Sequence, residues 1–184
     1  MKIVIGSGDT KFDGWYHTQE NELDLLDRSS FSKLIPQKNA ECFLAEHVWE
    51  HLDFEEGVQA AKNCYDFLQP SGYLRIAVPD KNFKNEWYQN LVQIGGPGPE
   101  DHPASTHKIV HDKKTLTEML TQAGFEVSLL EYCDERGVFH YKYWNNDDGY
   151  IGRSFRYDTR NSIEQLGMVS LIVDAHKLLT INNA

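Results

Sequence analysis

The chain is short of most features that announce a function. Its 184 residues include three cysteines, Cys42, Cys64 and Cys133, odd in number, widely spaced and without a C-x-x-C pair. That argues against a disulfide framework or a cysteine zinc site and points to a reducing cytoplasm. Positive charge is scarce, with 18 Lys+Arg against 28 Asp+Glu and a net charge of −10. A body this acidic repels phosphate, so neither nucleic acid nor an anionic membrane is expected as a partner. No apolar run reaches the length of a membrane span. The opening Met1-Lys2-Ile3-Val4-Ile5-Gly6 is too short in apolar residues for a secretory signal. Repeats and low-complexity tracts are missing as well. What is present is 40% apolar and 25% charged, the balance of a soluble globular protein, which excludes wholesale disorder. The length suits a single domain over residues 1–184.

Period and punctuation place the elements. Lys2-Ile3-Val4-Ile5 reads as a buried strand halted by Gly6-Ser7-Gly8, and Glu41–Ala45 as a second of the same kind. Asp53, with Glu56 three residues on, opens the best helix, whose Val58, Ala61, Tyr65 and Leu68 recur at helical spacing up to Pro70-Ser71-Gly72. Tyr73–Val78 then reads as a strand, which makes one βαβ unit and hence parallel neighbours. A helix is expected near Phe83–Gln93, ended by Gly95-Gly96-Pro97-Gly98-Pro99. Another follows Asp112, with Gly124 as its stop, and Phe125–Tyr132 and Met168–Lys177 read as strands. The aromatic stretch around Asn146-Asp147-Asp148-Gly149 reads as a hairpin or loop insertion at about 137–160. The alternation predicts an α/β three-layer sandwich with a mostly parallel sheet.

Four places carry candidate chemistry. Gly6-Ser7-Gly8 stands where open α/β sheets bring backbone close to a ligand, although G-x-G also marks plain turns. His47-Val48-Trp49-Glu50-His51 spells H-x-x-E-H, the inverted zinc-protease motif. Its context argues against zinc: it follows a buried strand, Asp53 starts the next helix, and nothing in the sequence singles out a third ligand. A strand-end loop whose polar groups face a pocket is the preferred reading, and no bound metal is expected. His102, His107 and His111 flank the Gly-Pro loop and suit either acid–base or metal work, or solvent. Phe139, Tyr141, Tyr143, Trp144 and Tyr150 suit a cleft wall, a half-buried sheet face or a subunit contact.

Taken together, KIVIGSG, LAEHVWEHL, EGVQAAKNCYDFLQPSGYLRIAVPD and LTQAGFEVSLLEY resemble the class I S-adenosylmethionine-dependent methyltransferases. The nearest resemblance is to a compact bacterial group of predicted methyltransferases, of the type 11-like kind. It runs from Lys2 to the terminal SLIVDAHK and is most specific between Ala45 and Asp80. It implies a Rossmann-like sheet with an antiparallel C-terminal strand. It also implies S-adenosyl-L-methionine as cofactor, with Gly6, Ser7 and Gly8 against its methionine end. The ribose position at the end of strand two falls on Gln19, and Asp24 or Asp27 would end strand three beside adenine. Glu46 and His47 would face the methionine moiety and the acceptor. Two departures stand out. Only six residues separate Gly8 from Trp15, too few for the first crossover helix, and Gln19 is neutral where the family has an acid.

The implied function is methyl transfer to an oxygen or nitrogen of a small molecule or glycan precursor, with His47, His102 or His107 as the base. The expected state is a cytoplasmic monomer or homodimer. The alternative is a non-catalytic methyltransferase-like binding or assembly module.

Overall fold

The apolar runs become the centre of a seven-stranded sheet. The computed structural model describes residues 1–97, 102–162 and 164–178. Its strands are β1 (Lys2–Ile5), β2 (Trp15–His17), β3 (Ala40–Glu46), β4 (Leu68–Pro79), β5 (Glu126–Cys133), β6 (Phe139–Tyr141) and β7 (Ser170–His176). They lie in the order β2-β1-β3-β4-β7-β5-β6. β2, β1, β3 and β4 are parallel neighbours. β7 is antiparallel to both β4 and β5, and β6 is antiparallel to β5. The expected Rossmann-like sheet with an antiparallel last strand is therefore present, with β1 beside β3. No helix joins β1 to β2, as the short spacing required.

Alternation along each strand sorts side chains onto two faces. Ile3, Ile5, Phe43, Ala45, Leu74, Ile76, Leu171 and Val173 turn toward α1 (Arg28–Leu34), α2 (Phe54–Phe67) and α4 (Lys113–Gln122). Their helical partners include Phe31, Val58, Cys64, Leu116 and Met119. Each fully buried Ile, Leu or Phe contributes roughly 1.5–3 kcal/mol, so this face carries most of the stabilisation. Val4, Leu44, Ala77 and Ile172 point the other way, onto Ile151, Phe12, Trp15 and Trp144. The third layer of the sandwich is thus loop rather than helix. It is pinned by Arg75, which is 1% exposed. Arg75 forms a bidentate pair with Asp174, its partner in register on β7, at 2.7 Å for each bond. Its third donor, Nη1, reaches the Gly149 carbonyl at 2.8 Å.

Caps explain where the helices begin. Asp53 accepts from the Glu56 N–H while Glu56 accepts from the Asp53 N–H, the reciprocal box that the sequence predicts. Asp112 and Thr115 form a second such box at α4. α3 spans only Glu86–Val92, shorter than expected, because Asn85 caps it by accepting from Tyr88 N–H. Two further expectations need correction. Pro70-Ser71-Gly72 is not a turn between elements, because β4 already begins at Leu68 and those residues bulge out of it. Ser71 accordingly takes a φ of +65°. Around Asn146-Asp147-Asp148-Gly149 the structure has the loop of the two expected alternatives, with a 3-10 turn in it, and the hairpin nearby is β5–β6, turned at Gly137 with a φ of +84°. No strand forms over Glu22–Phe31, so the sheet ends at β2. Gly98 and Pro99 of the glycine–proline loop lie outside the described residues. No described helix is long and apolar enough to cross a membrane. All three cysteines are free and buried.

Candidate active site

A cleft of about 620 Å³ opens at the carboxyl ends of β1, β3 and β4, within the roughly 300–1,000 Å³ usual for small-molecule sites. Open α/β sheets bind ligands at this edge because the loops there leave backbone exposed. The first wall is the glycine turn. Gly6 and Gly8 have φ of +58° and +53°, a region that only glycine enters freely. The turn is zipped to the end of β2: Ser7 N–H donates to the Thr18 carbonyl at 2.9 Å, and Thr18 N–H to the Val4 carbonyl at 2.9 Å. Gln19 completes it, its amide nitrogen donating to Ser7 Oγ at 3.3 Å and to the Gly8 carbonyl at 2.8 Å.

The opposite wall grows from the end of β3. Both oxygens of Glu46 are taken by backbone, Oε2 by Gly152 N–H at 3.0 Å and Oε1 by Arg153 N–H at 2.7 Å. Glu46 therefore ties the loop before β7 to the strand end. His47 follows at a φ of +56°, a left-handed conformation costly for a residue with a side chain. Its N–H is held by the Ala77 carbonyl at 2.8 Å. Trp49–His51 then forms a 3-10 turn whose indole is wholly buried, so Glu50 is driven inside as well. Burial is the largest influence on the Glu50 carboxyl and pushes it up, but His47, His51 and backbone together outweigh it and leave the group below its ordinary value.

Backbone also brings in the distant histidines. Lys108 and Ile109 N–H both donate to the Glu50 carbonyl, at 2.8 and 3.3 Å. This lays His107 against Glu50, with Nε2 4.0 Å from Oε1. Burial lowers the His51 and His111 values, that of His111 to about 4. His102 is used differently: its Nδ1 accepts from Ala104 N–H at 3.1 Å and caps the 3-10 turn Pro103–Thr106.

Of the residues singled out by sequence, Gly6, Ser7, Gly8, Glu46, His47, His102 and His107 line the cleft together. Gln19 supports the turn from outside it. Asp24 and Asp27 do not reach it: Asp24 accepts from Leu26 N–H in a turn, and Asp27 is the N-cap of α1, bonded to Ser29. Their placement beside adenine assumed a strand that is not there. Sequence reading named Glu50 only as a member of the H-x-x-E-H stretch. It passed over Asp9 and Arg153, which line the cleft from loops that carry no local signature, while Tyr150, a candidate for a cleft wall, does line it.

No family model matches the chain, and no curated protein matches it either. Solved structures do. A S-adenosylmethionine-dependent methyltransferase from Archaeoglobus fulgidus is similar with a TM-score of 0.53 at 18% identity, over 96% of this chain and 85% of that one. An O-methyltransferase family protein from Burkholderia thailandensis is similar with a TM-score of 0.50 at 11% identity, over 90% of this chain and 36% of that one. Identities this low speak for fold and not for activity. With the strand order, the antiparallel β7 and the cleft above β1, they give the conclusion that this chain has the class I S-adenosylmethionine-dependent methyltransferase fold.

Proposed function

We propose that the protein transfers a methyl group from S-adenosylmethionine to an oxygen or nitrogen of a small molecule or glycan precursor. The observation that carries this reading is the bare backbone at Gly8, where a Cβ would meet nothing within 4 Å. The turn thereby presents peptide edges to the cleft, as a ligand pressed against it needs. The residues fit the amino-acid end of that cofactor best. Gly6, Ser7 and Gly8 offer backbone, and Arg153 on the same cleft offers a cation for a carboxylate. Gln19 spends its amide hydrogens on the turn and keeps only an acceptor oxygen for a ribose hydroxyl. Asp9, exposed on the cleft, is the better-placed carboxylate.

When bound, that cofactor supplies a methyl made electrophilic by its sulfonium. The chain must then orient the acceptor, exclude water and manage the acceptor's proton. His102 is poorly suited to the last task. With Nδ1 accepting, its neutral ring carries the proton on Nε2 and has no lone pair left. The Glu50, His51 and His107 cluster is the basic group on the cleft wall.

Titration calorimetry with S-adenosylhomocysteine tests the reading. The parent is expected to bind it, and Gly8→Val, which fills the bare space, to lose it. Absence of binding in the parent would remove the enzyme and leave a binding module with a methyltransferase-like fold.

A further inference from the structure

Glu50 is wholly buried, yet neither carboxylate oxygen makes a hydrogen bond. Buried carboxylates are ordinarily held by N–H donors. Asp134 is so held here, by two backbone N–H groups. Around Glu50 stand imidazoles instead. His47 Nδ1 lies 3.0 Å from Oε1 and His107 Nε2 4.0 Å from the same oxygen. The His51 ring meets the His107 ring edge-on with centroids 5.0 Å apart. One ligand atom from each of Glu50, His51 and His107 lies within 4.8 Å of the other two.

Hydrogen bonds outside the cluster decide where each ring carries its proton. His107 Nδ1 is 3.0 Å from the Val92 carbonyl, which can only accept, so Nδ1 is the donor. His51 Nδ1 is 2.8 Å from the Thr106 hydroxyl, whose own proton goes to the Pro103 carbonyl at 3.1 Å. His47 Nε2 is 3.1 Å from the Ser170 hydroxyl, whose proton goes to the Arg153 carbonyl at 2.8 Å. Both hydroxyls therefore accept from the histidines. In the neutral rings His47 Nδ1, His51 Nε2 and His107 Nε2 are left with lone pairs, alongside an ionised carboxylate. Several lone pairs with no donor among them repel unless a cation sits between them. Outer hydrogen bonds that fix histidine tautomers in this way are typical of metal ligands.

We propose that this cluster binds one divalent transition-metal ion through Glu50, His51 and His107. Imidazole with one carboxylate suits zinc, iron(II), cobalt or manganese, whereas magnesium and calcium prefer oxygen alone. The H-x-x-E-H stretch lacked a ligand from elsewhere in the sequence, and His107 supplies it across the fold. The cluster lines the cleft. If the methyl-transfer reading holds, the ion would lower the pKa of an acceptor hydroxyl docked there. That role rests on the proposed function, while the ion's binding does not.

The competing occupant is a proton shared by His47 and Glu50. Chelator-stripped, untagged protein should be dialysed against cobalt(II), with metal content and visible absorption as readouts. One equivalent is expected, with the absorption bands of nitrogen- and oxygen-ligated cobalt. Glu50→Gln, His107→Ala and His51→Gln should each weaken binding by at least about tenfold, with circular dichroism confirming their fold. His51 is the most exposed of the three, so its variant keeps the test alive should a buried one misfold. No stoichiometric cobalt in the parent, or binding indifferent to every folded variant, would overturn the site. Metal is titrated without nucleoside and S-adenosylhomocysteine without metal. Cobalt without nucleoside binding keeps the site and removes only its methyltransferase role, and the reverse result removes the site alone.

Discussion

The glycine turn and the carboxyl ends of β3, β4 and β5 stand at the same edge of the sheet but are built on opposite principles. Residues 6–19 bury no charge: Ser7 and Thr18 are the only buried polar side chains there, and backbone bonds hold the shape. Across the cleft Glu50 and Asp80 are wholly buried and Glu131 is 2% exposed. Burial raises Asp80 to about 6 and Glu131 to about 7. One side recognises by shape, which costs little stability. The other stores charge in a low dielectric, which costs stability and leaves groups poised near neutral pH.

That contrast can be broken at its strongest point. Trp49 is the wholly buried floor under Glu50 and His51, its indole donating to the Gly57 carbonyl at 3.3 Å. Trp49→Ala should cost about 4 kcal/mol in denaturant unfolding, in line with other large-to-small aromatic core changes. A loss below about 1 kcal/mol would show that the charged side does not depend on this floor.

Glu131 sharpens the comparison next. Its folded value of about 7 lies above the ordinary 4.5, so the folded state binds the proton more tightly than the unfolded chain. Its contribution is therefore fully present below the unfolded value and is lost as pH rises toward 7. Stability should fall across that window by about 3 kcal/mol from this group, and Asp80 adds in the same direction. Glu131→Gln keeps an acceptor for Phe155 N–H, bonded at 2.8 Å, without the charge. The variant should be more stable than the parent at pH 8 and similar at pH 4, by denaturant midpoints at both. Equal stability at pH 8 would mean that the carboxylate is better solvated than its burial implies.

The smallest effect lies on the shape side. Gln19→Ala removes two neutral donors from an exposed position and should cost about 0.5–1 kcal/mol. Gln19→Glu should do no better, because its carboxylate would face the Gly8 carbonyl. Improved S-adenosylhomocysteine binding in Gln19→Glu would instead place residue 19 at the ribose.

Local signals made much of this legible. The capping box at Asp53, the stop at Gly124 and the apolar runs of β1, β3 and β7 each act within a few residues, so the sequence carries them openly. The same holds for Gly6-Ser7-Gly8, and for the missing crossover helix, which six residues cannot form. The Asn85 cap that shortens α3 is equally local.

Other features depend on residues distant in sequence. Asp27 could serve a cap or a ligand, and only the absence of a strand over Glu22–Phe31 made it a cap. Glu46 and His47 were recognisable as a strand end, but not that Glu46 would spend both oxygens on Gly152 and Arg153. The amino-acid sequence by itself determined β1, β3, β7, α2 and α4, the mostly parallel sheet and the edge at which a cleft opens, because helical periodicity, apolar runs and turn residues are local physics. Tertiary structure alone decided which charges became buried together. Glu50 and His107 meet because the 108–109 backbone bonds to the Glu50 carbonyl, and no periodicity records a contact made between two loops.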